Sequence, residues 1–475
     1  MNKFKLFIEN FLVYGLGGII SRIIPLIMVP IVTRLIPSSV YYGLSDLSNT
    51  VVSFASALAI MGMYDAMYRM FFEKEDDEYK KKICSTTFIF TLFTSVVVCI
   101  LLIIVRKQIA QCFFGDAKYV YIVYLSAMAT LVGATNSIIS APTRMQNQRK
   151  VFLVTNTVSP IFSYAISIPL LLAGYYTIAL PLATIVSGIT MELAFWIMNK
   201  EWFSLSRFDM NLLKQLLVIS IPLLPNFLIY WVFNSCDKVM ITNMIGIGAA
   251  GIYSVGSKLG QASQLIYTAF AGGWQYFAFS TMKEDNQVKS NSMVFEYLGI
   301  VSFVATAFVC ALAYPLVKIL FTEQYVSGYV VVPYLFLAPL MQMLFQVAAS
   351  QFLVIKKTWP NMFILGVGAL INILVNYMLI PILGIEGASI STFLGYVVSD
   401  IICVIVLCKS KQMIISKKFI FVACLLSVYV ISWRLFFSSC FIVGAISASI
   451  FFGVVLIMYK GDLCRLLKKL RKERK

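Results

Sequence analysis

The feature that most constrains this chain is a series of apolar segments, each about twenty residues long, that recurs along its whole length. Of its 475 residues, 60% are hydrophobic and only 12% are charged. A soluble domain is about 25% charged and cannot bury so much apolar surface. A helix of about 20 apolar residues matches the ~30 Å hydrocarbon core of a bilayer. The sequence therefore predicts an all-α polytopic membrane protein.

About fourteen transmembrane helices are predicted. The first follows Lys3 and Lys5, runs on past Arg22 and lacks the short core of a cleavable signal peptide. The seventh is expected to continue through Asp237 towards Ile245. The predicted spans are 8–30, 42–64, 83–105, 119–141, 151–173, 176–198, 216–236, 251–278, 295–316, 330–353, 362–383, 387–408, 419–437 and 441–459.

The distribution of lysine and arginine among the loops predicts the orientation. Loops on the side of the N-terminus and the C-terminal tail 460–475 hold most of these residues, so both termini are predicted to be cytoplasmic. The net charge of +17 follows from this topology, and no nucleic-acid partner is predicted. The opposite side has only Arg34, Arg106, Lys107, Lys118, Lys318 and Arg434.

An internal repeat with an offset of about 208–212 residues relates the first six helices to the next six. Tyr119–Leu125 aligns with Tyr329–Leu335, and Gly43–Ser45 aligns with Gly251–Tyr253. Because six is an even number, the repeat is parallel and predicts two pseudo-symmetric lobes. The expected organisation is an N-lobe at 1–205, a C-lobe at 206–410, and a helix pair with a basic tail at 411–475.

Several ionisable residues fall inside the apolar segments, where each would cost about 2.5–3.5 kcal/mol at a helix centre facing lipid. We therefore expect them to face a water-filled cavity or one another. Arg22 on the first helix and Lys258 on the eighth are the predicted substrate-binding cations. One cation from each lobe would make the cavity attractive to a phosphate or pyrophosphate. The alternative for Arg22 is a structural ion pair with Asp46.

The other intramembrane charges are candidates for ion coupling or for polar groups of the cavity. Asp237 and Lys238 are adjacent near the end of the seventh helix, where such a pair favours a structural role at the interface. A proton or Na⁺ would be the coupled ion, and no cofactor is predicted. Histidine is absent and the ten cysteines form no Cys-x-x-Cys pair, so no metal site is predicted. The full set of these candidates is Asp46, Glu192, Asp237, Lys238 and Asp400.

Three stretches of the chain resemble Wzx-type polysaccharide flippases of the multidrug/oligosaccharidyl-lipid/polysaccharide (MOP) exporter superfamily, which includes the MATE exporters. The most specific is the run Asp237–Ile241, Gly246, Gly251–Val255 and Lys258. The other two are Asn372–Pro381 followed by Gly384–Ala388, and the opening Pro30, Thr33–Leu35 and Tyr42–Leu44.

The resemblance implies a transporter and not an enzyme. It implies two helix bundles around a cationic cavity that takes the pyrophosphate and sugars of an undecaprenyl-linked repeat unit, for O-antigen or capsule synthesis. Transport by alternating access across the bacterial plasma (inner) membrane would follow. A polysaccharide polymerase and a chain-length regulator would be partners. Arg22 and Lys258 lie on helices that carry cavity cations in such flippases.

Three alternatives remain open at this point. A lipid II flippase of the same superfamily would share the helix number and a cationic cavity. A cation-coupled multidrug exporter would have a similar bundle with a carboxylate-centred site. A membrane polysaccharide polymerase is disfavoured, because the longest predicted external loop, 106–118, has one carboxylate and no nucleophile–base pair.

Overall fold

A computed structural model describes residues 21–280 and 286–473, apart from 356 and 358, and within these ranges the regular structure is helical. The first helix, α1, covers 21–35. The helices that follow are α2 Ser39–Ile60, α3 Met63–Phe71, α4 Asp77–Ile104, α5 Arg106–Phe114, α6 Val120–Ile139, α7 Ala141–Met145, α8 Arg149–Leu172, α9 Ala179–Asn199, α10 Met210–Ser220, α11 Leu224–Trp231, α12 Asp237–Met244, α13 Ile247–Gly260, α14 Gln264–Ser280, α15 Gln287–Leu320, α16 Glu323–Val326, α17 Val332–Val354, α18 Trp359–Leu383, α19 Ile385–Lys409, α20 Lys417–Ser432 and α21 Phe441–Glu473.

Eleven helical segments within the described ranges are long and apolar enough to cross a membrane, or up to twelve if the bent pair α2–α3 counts as one span. The all-α polytopic fold is therefore confirmed, but the number fourteen is not. The predicted first span, 8–30, lies largely outside the described residues. The predicted eighth span, 251–278, is divided by a 3-10 turn at Gln261–Ser263 into α13 and α14.

The seventh predicted span continues past Asp237, as expected. Helices α10, α11 and α12 form one segment, Met210–Met244, of 35 residues. Its regular hydrogen bonding is interrupted by a π-helical turn at Val232–Cys236, immediately before Asp237. Such turns accommodate an extra residue and commonly occur at functional sites. The interruption directly precedes the charged pair Asp237 and Lys238 at the start of α12.

The bend between α2 and α3 is 47° and occurs at Met61 and Gly62. Gly62 has φ = +73°, a left-handed conformation in which glycine alone is unstrained. A Cβ atom there would also approach the carbonyl oxygen of Ser220 to 2.8 Å. The conformation and the close approach therefore both require glycine at this position.

Contacts between Cα atoms divide the chain into two compact units. The first runs to Val255 and also includes Ile373–Ala388, and the second comprises Gly256–Asn372 and the residues from Ser389 onwards. The predicted lobes at 1–205 and 206–410, and the segment 411–475, stay predictions.

Two positions that the repeat aligns are in direct contact within the first unit. A Cβ atom on Gly43 would meet the backbone nitrogen of Gly251 at 3.0 Å, and one on Gly251 would press against the carbonyl oxygen of Ser39. Ser254 and Asp46, which are also 208 residues apart, are joined by a hydrogen bond of 2.8 Å. The aligned positions on α2 and α13 therefore pack directly against each other.

Candidate functional site: a polar pocket and a buried charge network

A pocket of about 540 Å³ lies within the first unit, between α6, α8 and α9. Its volume is in the range of about 300–1,000 Å³ that is usual for sites that enclose a small ligand. Apolar side chains such as Met191 and Phe195 line it together with ten serine, threonine and asparagine side chains. The hydroxyl and amide side chains that line it are Ser21, Asn136, Ser140, Thr143, Thr155, Asn156, Ser159, Ser163, Thr184 and Ser187.

Helical spacing explains why these side chains converge. Asn156, Ser159 and Ser163 follow each other at intervals of three and four residues, so they lie along one face of α8. Thr184 and Ser187 occupy the facing side of α9, and a hydrogen bond of 3.4 Å joins the hydroxyls of Ser159 and Ser187. The polar side chains of α8 and α9 therefore meet in the pocket.

Arg144 is the charged side chain among the described lining residues. Its guanidinium donates to the hydroxyl of Tyr64 at 3.4 Å and lies 5.5 Å from the ring centre of Phe152. The side chain remains exposed within the pocket. A guanidinium held over an aromatic ring can still present N–H groups to a phosphate or to sugar oxygens.

Asn136 gives the pocket an available hydrogen-bond acceptor. Its side-chain oxygen is buried, and no described residue donates a hydrogen bond to it. Buried polar atoms in native proteins are nearly always paired, so an unpaired one in a pocket lining needs a reason. An O–H or N–H donor on a ligand would satisfy it.

A second cluster in the same unit brings together charged side chains from α2 and α12 and hydroxyl side chains from α13. The ammonium of Lys238 lies 2.7 Å from a carboxylate oxygen of Asp46, and these side chains are only 12% and 7% exposed. The same oxygen of Asp46 accepts from Ser254. Asp237 is also buried and accepts from the hydroxyl of Tyr253 and from the Lys238 backbone N–H. We call these five residues the charge network.

The predicted substrate cations lie in different units. Arg22 is exposed on α1, next to Ser21 of the pocket lining. Lys258 is half-buried near the end of α13, in the second unit. Both have polar or ionic contacts of their own. Their joint role in a cavity stays a prediction, as does the ion pair of Arg22 with Asp46, although Asp46 has Lys238 as a partner.

The remaining predicted carboxylates have contrasting surroundings. Glu192 is half-buried on α9, follows the pocket residue Met191, and hydrogen-bonds to Thr135 of α6. Asp400 on α19 is buried in the second unit, and neither of its carboxyl oxygens has a hydrogen-bond partner among the described residues.

Asp237 and Lys238, expected at an interface, instead belong to the charge network. No group of three metal-ligating side chains occurs in the described part of the chain.

The sequence matches a family model described as "Polysaccharide biosynthesis protein" over residues 31–329. The chain belongs to this family. The match covers more than half of the sequence and includes α6, α8, α9 and every residue of the charge network. No curated protein matches the chain by sequence at a significant level.

Solved structures of MOP-superfamily transporters have the same fold. The lipid II flippase MurJ in an inward closed conformation is similar with a TM-score of 0.71 and 13% identity, covering 95% of this chain and 100% of that one. An inward-facing MATE multidrug transporter has a TM-score of 0.61 and 12% identity, covering 86% and 98%. A mutant of the Vibrio cholerae MATE transporter VcmN has a TM-score of 0.60 and 12% identity, also covering 86% and 98%.

Family and fold together confirm the predicted kind of protein. The chain is a multi-pass membrane protein of the polysaccharide biosynthesis family, and its fold is that of the MurJ flippase and of MATE transporters. The resemblance stated from the sequence is confirmed at this level.

The polar pocket was not predicted from the sequence. Arg144 follows the end of α6. From the sequence alone, an arginine at the end of a span is interpreted as an anchor at the membrane interface. The signal that could have identified the pocket is the polar stripe on α8 and its counterpart on α9, since residues at spacings of three and four share one helix face.

Proposed function

We propose that this transporter moves an undecaprenyl-pyrophosphate-linked oligosaccharide repeat unit from the cytoplasmic to the outer face of a bacterial plasma membrane. The observation that carries the proposal is the pocket, in which ten serine, threonine and asparagine side chains and Arg144 stand among apolar and aromatic ones. Sugar hydroxyls both donate and accept hydrogen bonds, which matches this mixture of groups. A cationic drug would instead favour a pocket lined with carboxylates.

Arg144 would then bind the phosphate end of the substrate. A guanidinium binds phosphate oxygens through two parallel N–H···O bonds, and its contact with Phe152 restricts its orientation. The lipid chain would stay in the bilayer while the pocket takes the polar head. Arg22, which follows the lining residue Ser21 on α1, would add a second cation. Both termini would be cytoplasmic. A polymerase with a chain-length regulator would then join the translocated repeat units into polysaccharide.

Deletion of the gene in its host tests this substrate. We expect surface polysaccharide to be lost while the lipid-linked repeat unit accumulates and remains inaccessible to glycosidase added outside intact cells. Mass spectrometry of the accumulated lipid then identifies the sugars. Normal polysaccharide with new sensitivity to cationic drugs would favour a multidrug exporter, and accumulation of a peptidoglycan precursor would favour a lipid II flippase.

Asn136 provides a test of the pocket that separates binding from folding. Because the Asn136 side-chain oxygen has no partner among the described residues, Asn136→Leu should leave the midpoint of heat denaturation unchanged or raise it. Loss of a hydrogen bond to the substrate, about 0.5–1.5 kcal/mol, should lower polysaccharide export about two- to tenfold in the complemented deletion strain.

Asn199 supplies the matched control for that variant. Its side-chain amide is buried and donates to Ile139 at 2.8 Å and to Thr143 at 2.9 Å. Asn199→Leu should therefore lower the denaturation midpoint and the amount of protein in the membrane. Unchanged export by Asn136→Leu at normal protein levels would remove this pocket from the substrate path.

A further inference from the structure

Asp400 is in an environment that disfavours a charged carboxylate. It is 4% exposed, and neither carboxyl oxygen has a hydrogen-bond partner among the described residues. Along α19 it lies about 22 Å from Ile385 and about 13 Å from Lys409, at a rise of about 1.5 Å per residue. It is therefore deep within an apolar span. A charge buried without a partner is so costly that the group takes up a proton instead.

Among the described residues, no charged side chain compensates Asp400. Helix α18 packs against this part of α19 through the Ser399 hydroxyl, which donates to the Ile364 carbonyl at 3.5 Å. Between Trp359 and Leu383, α18 has no aspartate, glutamate, lysine or arginine. Of the described residues, the ionisable group close to Asp400 is the buried thiol of Cys403, one turn along the same helix.

Asp400 differs in this respect from the other buried carboxylates considered above. Asp46 is paired with Lys238, and Asp237 accepts two hydrogen bonds, so both have partners that stabilise a negative charge. Asp400 has neither an ion pair nor a hydrogen bond to its carboxyl oxygens among the described residues. Ionisable residues retained inside membrane spans commonly form proton pathways.

We propose that Asp400 is a proton-binding site that couples transport to a proton gradient. In the present conformation the carboxyl is neutral. When the helices around α19 rearrange and water reaches the carboxyl, Asp400 releases the proton into that water. One proton is bound and one released per cycle, no covalent bond other than O–H changes, and no metal is involved. This inference rests on the proposed flippase function for the nature of the cargo.

The protonation state can be measured without any substrate. Infrared spectra of the purified full-length protein in lipid should show, at neutral pH, a protonated-carboxyl C=O band that Asp400→Asn removes. Asparagine has nearly the shape of the neutral acid, so the variant should fold. Asp400→Leu is a second neutral variant that should remove the same band. A protonated-carboxyl band that neither substitution changes would mean that Asp400 is ionised, and the proposal would be overturned.

Asp116 is the matched control for the infrared measurement. It lies in the connection before α6, where the Lys118 backbone N–H and ammonium lower the pKa of its exposed carboxyl. This aspartate is therefore ionised at neutral pH. Asp116→Asn should leave the protonated-carboxyl band intact, which would assign the band lost in Asp400→Asn to the buried site.

Coupling is tested with liposomes that contain the protein and lipid-linked oligosaccharide extracted from the deletion strain. With one proton per cycle, a gradient of one pH unit should change the distribution of substrate between the leaflets about tenfold. Asp400→Asn should still redistribute substrate but should not respond to the gradient. A response equal to that of the wild-type protein would overturn the proposal.

The two proposals fail in different ways. If the deletion strain kept its polysaccharide, the proposed cargo would be wrong, but the infrared band would still decide whether Asp400 holds a proton. If substrate moved between the leaflets with no dependence on Asp400 or on pH, the flippase function would stand and proton coupling at this residue would be rejected.

Discussion

Replacing Lys238 with methionine should destabilise the folded protein by about 3–5 kcal/mol, because it removes one partner from a buried ion pair. The ammonium of Lys238 is 2.7 Å from Asp46, and the second carboxylate of the charge network, Asp237, is buried beside it. Methionine fills a similar volume, so the loss is mainly electrostatic. The expected result is a strongly lowered midpoint of heat denaturation for the detergent-solubilised protein, measured as loss of the monodisperse peak in size-exclusion chromatography.

The same substitution in an exposed ion pair is the control. Lys118 and Asp116 are 3.0 Å apart, but their side chains are 64% and 47% exposed, so Lys118→Met should leave the denaturation midpoint almost unchanged. Adding Asp46→Asn to Lys238→Met should recover much of the lost stability, since the unpaired charge is then removed. Equal midpoints for Lys238→Met and Lys118→Met would show that the charge network does not hold these helices together.

Substituting alanine for Gly251 is expected to separate α2 from α13 and to cost about 1–3 kcal/mol or more. The new Cβ atom would press against the carbonyl oxygen of Ser39 and approach the backbone nitrogen of Gly43 to 3.1 Å. Backbone atoms cannot turn aside as a flexible side chain can, so the helices must move apart. That movement would also weaken the hydrogen bond between Ser254 and Asp46. Heat denaturation and export in the complemented deletion strain measure both consequences.

Gly248 allows a comparison on the same helix. A Cβ atom there would meet the hydroxyl oxygen of Ser39 at 3.3 Å, and that side chain can rotate. Gly248→Ala should therefore be neutral or stabilising, because alanine is favoured over glycine in a helix by about 1 kcal/mol. If Gly251→Ala were as stable and as active as Gly248→Ala, the close contact would have no role in folding or transport.

The repeat illustrates how far sequence alone reaches into the tertiary structure. Its offset aligns Gly43 with Gly251, and Asp46 falls opposite Ser254 at the same spacing. The structure brings both pairs into contact. Each match between the two halves of the chain is weak by itself. Together the matches keep one offset across six helices, and this constant offset predicts two similar lobes. Which of the aligned side chains would touch was not predictable, because that depends on how closely α2 and α13 approach.

The functional residues were predicted less completely. Counting charges in apolar segments identified Asp46, Asp237, Lys238 and Asp400 as unusual, and the structure leaves all four side chains with little exposure. Counting charges could not detect the pocket, because most of its lining is uncharged. Asn136, Ser159 and Ser187 are individually common in membrane helices, and their chemistry emerges only when the polar faces of α6, α8 and α9 converge.

The sequence by itself determined that this protein lies in a membrane as a set of helices. Apolar segments of about 20 residues must satisfy their backbone hydrogen bonds internally, and only the helix does so within one segment. The tertiary structure alone decided which helix faces meet. Lipid is as apolar as a protein core, so hydrophobicity does not show which side of a membrane helix faces inward. The pairing of Asp46 with Lys238, the isolation of Asp400 and the position of the pocket all follow from packing.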